Sequence, residues 1–162
     1  IAPGVIDFKR TLAVAWCSYS TVIQSRSWLP DGIGGVCWFA VDNPAQSPRI
    51  PIFCGSTKLP AAFEKCGQKE YYPNSVLWEF RRANKLATLS WQKTKKEFTD
   101  NVLEMETMTF EGLPELEAEY SKASGKKRAK LLNAYTAGIH DKCAARWKEL
   151  EAKYWSMFGR GF

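Results

Sequence analysis

Apolar and polar positions change their spacing once along the chain, near residue 73. Before that point the period is close to two. Residues 8–16 (FKRTLAVAW) have strand character, and residues 19–29 (YSTVIQSRSWL) predict a longer strand, rich in β-branched and aromatic residues and free of glycine and proline. Along it Ser20, Val22, Gln24, Arg26 and Trp28 share one face, while Tyr19, Thr21, Ile23 and Ser25 share the other. Pro30-Asp31-Gly32 predicts a turn, because proline presets φ and glycine accepts positive φ. Residues 34–41 (GGVCWFAV) are apolar at both parities, the pattern of a strand covered on both sides. Asp42-Asn43-Pro44 closes it. Residues 49–54 (RIPIFC) predict a third strand, placed at an edge or bulged because Pro51 has no N–H to donate.

Beyond a loop with a short helix over 61–65, the period becomes helical. Asn74 or Ser75 can cap a long helix whose stripe runs Leu77, Phe80, Ala87, Trp91, Phe98, Val102 and Met105. Gly112 and Pro114 are expected to end it. A short helix over 115–123 follows, then a break at Gly125. A last helix over 126–158 carries Leu132, Tyr135, Ile139, Cys143, Trp147, Leu150, Tyr154 and Phe158. The expected fold class is α+β: antiparallel strands over residues 1–73, then long antiparallel helices over 74–162, as one structural unit. Three strands are few for a chain with seven Trp. The sheet is therefore expected to be completed by a further segment or covered by a second chain.

Composition adds limits more than chemistry. The longest apolar stretch, 33–41, falls short of the roughly 18–20 residues that span a membrane. The net charge of +6 is a mild excess and demands no nucleic-acid partner. Five cysteines, an odd number without CxxC, argue against a disulfide framework or a zinc ribbon. The chain has one histidine, His140, three residues from Cys143. Cys143 lies on the apolar stripe and His140 at its flank, so the pair reads as core and border, not as a catalytic dyad. Neither offers metal-ligand spacing, and no metal is expected. Gly32, Gly34 and Gly35 precede a strand, whereas a phosphate cradle needs a following helix. Lys126-Lys127-Arg128 reads as a solvated helix face. Arg26 is the residue that suggests ligand contact, as a charge on an otherwise neutral strand.

The segment 17–55 reads CSYSTVIQSRSWLPDGIGGVCWFAVDNPAQSPRIPIFCG. It resembles the C-terminal signature of PepD-type dipeptidases, cysteine peptidase family 69, of which the secernins are more distant relatives. The carrying motifs are YSTVIQSRSWLP, GGVCWFA-DNP and PIFCG, and NKLATLSWQKT fits the helical tail. The resemblance implies an N-terminal-nucleophile hydrolase with an αββα sandwich, no cofactor and dipeptides as substrate. In such enzymes an N-terminal cysteine attacks and its own α-amine, with a pKa of about 7.7–8.0, takes the thiol proton. This chain begins with Ile1 and no cysteine is terminal, so no catalytic residue is assigned within it. The nucleophile is expected upstream, in an N-terminal part of the same protein that is also its expected partner, with a homo-oligomer as a further form of cover. Arg26 is kept as a substrate contact. A non-catalytic binding module on the same fold is the alternative.

Overall fold

The computed structural model describes residues 13–159. Its order is β1 (Tyr19–Ser25), α1 (Asp31–Gly34), β2 (Gly35–Val41), β3 (Ile50–Phe53), a 3-10 turn (Ala61–Phe63), α2 (Val76–Thr88), α3 (Trp91–Lys122) and α4 (Lys126–Phe158). The α+β expectation holds: one antiparallel sheet ordered β1-β2-β3, followed by long helices.

The register is set by tight pairing from Tyr19↔Val41 to Ser25↔Gly35, and from Val36↔Phe53 to Phe39↔Ile50. Side-chain alternation then gives the sheet two unequal faces. Val36, Trp38, Ala40 and Phe53 point to one face and are buried. Leu113, Leu116, Tyr120 and Leu132 of α3 and α4 cover that face. On the other face Val41 and Ile50 are buried, but Cys37, Phe39 and Ile52 are only half-buried, and Ile23 is 74% exposed. Cover on both sides, expected for 34–41, is thus complete on one face and partial on the other. Pro51 lies on an edge strand, as its missing N–H requires. α4 runs beside that edge, where the Thr136 hydroxyl donates to the Pro51 carbonyl at 2.8 Å. The outer edge of β1 pairs with no strand among the described residues.

Four expectations need correction. The strand over 8–16 falls largely outside the described residues, and its end at 13–16 is a turn, with the Cys17 N–H bonded to the Val14 carbonyl at 3.0 Å. The strand over 19–29 stops at Ser25. Its continuation is a turn closed by the Leu29 N–H on the Arg26 carbonyl, and Pro30 then opens the single helical turn α1. The long helix breaks at Leu89-Ser90 and runs straight past Gly112 and Pro114. Ser90 stands at the N-cap of α3 with extended φ, and the Thr94 hydroxyl bridges the break by donating to the Ala87 carbonyl at 3.0 Å. The apolar stripe is uninterrupted because Ala87 and Phe98 still reach the same core.

Pro114 is tolerated for two reasons. The carbonyl it deprives of a donor belongs to Phe110, on the exposed side of the helix. One residue earlier, the Thr109 carbonyl takes a hydrogen bond from the Tyr135 hydroxyl of α4. Gly112 makes room for it: a Cβ there would stand 2.8 Å from the Tyr135 oxygen. α3 and α4 are antiparallel, as expected, since Arg146 meets Glu104 while Lys153 meets Glu97. Their core is aromatic: Trp147 lies 5.4 Å from Phe80 and 5.9 Å from Phe98, and Phe98 stacks on Tyr154 at 5.6 Å. Each such ring pair adds about 0.5–1.5 kcal/mol beyond its buried area.

Candidate functional site

The most polar interior of the protein lies where β2 leaves the sheet. Asp42 is fully buried and has φ of 59°, a left-handed conformation that costs a non-glycine residue energy and that aspartate tolerates better than most. Its N–H pins the start of β1 by donating to the Ser18 carbonyl at 2.8 Å. Its carboxylate receives the Arg81 Nε at 2.7 Å and the Asn84 Nδ2 at 3.0 Å. Asn84 also donates to the Ser47 hydroxyl and accepts the Trp147 indole N–H at 2.9 Å. Arg81 reaches on to the Cys17 carbonyl at 3.3 Å. A buried carboxylate is viable only when its charge and lone pairs are met in this way. The signal in the sequence was Asn84, a polar residue set between Phe80 and Ala87 on an apolar stripe.

Above this network, at the same end of the open face, is a cleft of about 290 Å³. Tyr19 stacks on Phe39 at 5.8 Å, and Phe63 stands 5.9 Å beyond, so the walls are aromatic. Ser18, Glu64, Lys65, Cys66 and Gln68 form the rim. A second cleft, of about 360 Å³, lies on the covered face between β1 and α3. It is lined by Val22, Trp38 and Phe110, with the Arg49–Glu106 ion pair (2.8 Å) at one wall.

His140 stands behind Phe63, whose ring meets it edge-on at 5.5 Å. The imidazole is 4% exposed. Nε2 lies 2.9 Å from Glu79 and Nδ1 lies 3.0 Å from Asp141. Burial opposes its charge, but two carboxylates outweigh burial, and its pKa rises above the ordinary 6.5. The ring is a clasp between α2 and α4. Three residues on, Cys143 faces the core, fully buried, and burial pushes its thiol up to about 12. A thiol held protonated in this way is no nucleophile. The Cys37 thiol is raised too, by burial and by Cys54.

Arg26 is buried beneath the sheet. Its Nη1 pairs with Glu117, and Nη2 donates to the Ile33 carbonyl at 2.6 Å. Nε, also buried, finds no partner among the described residues. A substrate contact by Arg26 would have to pass through that nitrogen. Of the basic run, Arg128 folds back to donate to the Tyr120 and Ala123 carbonyls and stacks over the Tyr120 ring, closing the end of α3. Among the described residues no group of three or more His, Cys, Asp or Glu is placed to hold a metal, and no helix is long and apolar enough to cross a membrane.

The model of peptidase family C69 matches residues 6–104. The chain belongs to peptidase family C69. The match takes in the whole sheet, α2 and the first part of α3, and so contains Arg26, Asp42, Arg81 and Asn84. His140, Cys143 and Trp147, on α4, lie beyond it. No curated protein matches the chain. A C69 peptidase hydrolyses peptide bonds.

Proposed function

We propose that this C69 chain is the C-terminal, sheet-and-helix portion of a cysteine dipeptidase of the N-terminal-nucleophile type. The nucleophilic cysteine and its α-amine base lie upstream, and further strands pack on the open sheet face to make the αββα sandwich. The observation that carries this reading is the asymmetry of the sheet. One face of β2 and β3 is covered by α3 and α4, whereas on the other Tyr19 (62% exposed) and Ile23 (74%) stand uncovered, beside a β1 edge that pairs with no strand among the described residues and where Val22 on the covered face is itself half exposed. Unpaired edges with exposed apolar side chains are what sheets use for adding strands. The reading is further supported by the thiols: the buried Cys143 is held protonated, and Cys37 is shifted away from thiolate.

In this reading a free α-amine with a pKa of about 7.7–8.0 draws the proton from its own thiol near neutrality. The thiolate attacks the peptide carbonyl, and water resolves the acyl-enzyme. No histidine is required, which suits a chain whose single imidazole is committed to Glu79 and Asp141. Arg26 serves as a substrate contact in this reading only if packing of the upstream part uncovers it, because both Nη atoms are engaged and Nε is buried. The experiment compares this chain with the same protein extended upstream to its start, both assayed on alanyl-alanine. Turnover by the extended protein alone is expected. Equal turnover by the isolated chain would refute the proposal.

A further inference from the structure

We propose that the outer groove between α3 and α4 is the contact surface for a second copy of this chain, with the two-fold axis running along the helices, so that α3 of each copy lies over α4 of the other. This surface is separate from the open sheet face, which the peptidase reading fills with strands. α3 turns Leu113 and Tyr120 toward the sheet and carries the groove on a different side.

The groove has a volume of about 360 Å³. Its floor is apolar, and Met108, Leu131 and Tyr135 are only half-buried there. Gly112 and Ala134 keep the floor low, which lets another helix approach closely. The two rims differ in charge. Glu115 and Glu119 stand on the α3 rim and Lys142 on the α4 rim. Lys127, one turn before Leu131, continues the α4 rim by helical spacing. All four are exposed, and none makes an ion pair among the described residues. Elsewhere on the same two helices charges close onto partners within the chain, as Arg146 does on Glu104 and Lys153 on Glu97.

An acidic rim beside a basic one complements a second copy of itself. With the axis parallel to the helices, each residue keeps its level along the groove and α3 exchanges places with α4. The contact of Gly112 with Tyr135 fixes the levels. Glu119 lies about 10 Å along α3 from that contact and Lys127 about 12 Å along α4, both in the same direction because the helices are antiparallel. Glu119 of each copy therefore meets Lys127 of the other. Lys142, about 10 Å to the opposite side, meets Glu104, which holds Arg146 but is still 56% exposed. Every neighbouring pair in the resulting four-helix bundle is antiparallel, so the helix dipoles oppose one another. An axis across the helices would instead set Glu119 against Glu104 and Lys127 against Lys142, and like charges disfavour it. Lys127 carries a second sign of this role. The first turn of α4 holds Lys126, Lys127 and Arg128 and no acid, although the helix dipole disfavours cations there. An acidic rim on the second copy offsets that cost.

The test is the mass of this chain by sedimentation equilibrium over a concentration series. A reversible dimer is expected. Glu119→Lys and Lys127→Glu each set like charges against one another and are expected to weaken association about tenfold or more. The double variant exchanges the two charges and is expected to recover most of that loss. Lys127→Glu also removes a cation that the helix dipole disfavours, so the Tm of the dilute monomer is expected not to fall, which separates a lost contact from a lost fold. The dimer is overturned if the chain stays monomeric at high micromolar concentration, or if the double variant associates no better than the single ones. It is equally overturned if the chain associates and neither reversal weakens it, the result that contact through the open sheet face would give. None of these outcomes measures turnover, so the peptidase reading stands or falls by its own assay.

Discussion

Replacing His140 tests whether the α2–α4 clasp is ionic. The imidazole is 4% exposed and joins Glu79 at 2.9 Å and Asp141 at 3.0 Å. Asp141 is 76% exposed, and an ion pair there contributes little. Glu79 is 23% exposed, so its bond to the ring is the costly one to lose. A charge-assisted hydrogen bond in such a setting is worth about 1.5–3 kcal/mol. His140→Gln keeps much of the shape and removes the charge, so a loss of about 2 kcal/mol is expected, or about 4–8 °C in Tm for a chain of this size. The sign with pH follows from the raised pKa. The stabilisation is fully present below the unfolded histidine value of about 6.5, and it fades as pH rises through the higher folded value. Urea unfolding of both proteins between pH 5.5 and 9 measures the gap. It is expected to be widest near pH 5.5 and to narrow on the alkaline side. A gap that is constant, or that widens with pH, would refute an imidazolium held between two carboxylates.

Other consequences are equally direct. Asn84→Ala leaves the buried Asp42 carboxylate with one partner and the Trp147 indole with none, and is expected to cost about 3–5 kcal/mol by urea unfolding. Gly112→Ala sets a methyl group 2.8 Å from the Tyr135 oxygen and is expected to cost about 1–2 kcal/mol; in a Tyr135→Phe background, where the hydroxyl is gone, calorimetry is expected to show most of that penalty removed. With a thiol raised to about 12, Cys143 is expected to resist iodoacetamide at pH 8 in the folded protein, whereas the exposed Cys54 and Cys66 alkylate; peptide mapping reads the difference.

Much of the fold was legible because its signals are local and periodic. Alternation gave the three strands, and Pro51 gave the edge. The stripe from Leu132 to Phe158 gave α4 nearly to the residue. The failures occur where a distant partner overrides a local rule. Pro114 reads as a helix stop in any window, yet Tyr135, far along the chain, binds the Thr109 carbonyl and holds the turn together. Ser90 is a sound N-cap residue, but the unbroken stripe from Ala87 to Trp91 hid the break it makes. Arg26 kept the strand's alternation although the strand ends one residue earlier, and its half-buried partner Glu117 lies on a helix that no strand pattern can locate. The Asp42 network was the least legible. Its members come from the end of β2, the loop after it, α2 and α4, and only the fold brings them together. His140 was expected at the flank of the stripe, but the ring is buried, because Glu79 and Asp141 satisfy both nitrogens.

The measurement that bears most directly on the account is the site of covalent labelling in the protein extended upstream. It is treated with a peptide-like electrophile until dipeptide hydrolysis stops, and the modified residue is mapped by mass spectrometry. The account predicts a single label on a cysteine at the mature N-terminus, with Cys17, Cys37, Cys54, Cys66 and Cys143 unmodified at the stoichiometric point. A label on one of these five that rises in step with the loss of activity would contradict it, because the nucleophile would then lie within the chain described here.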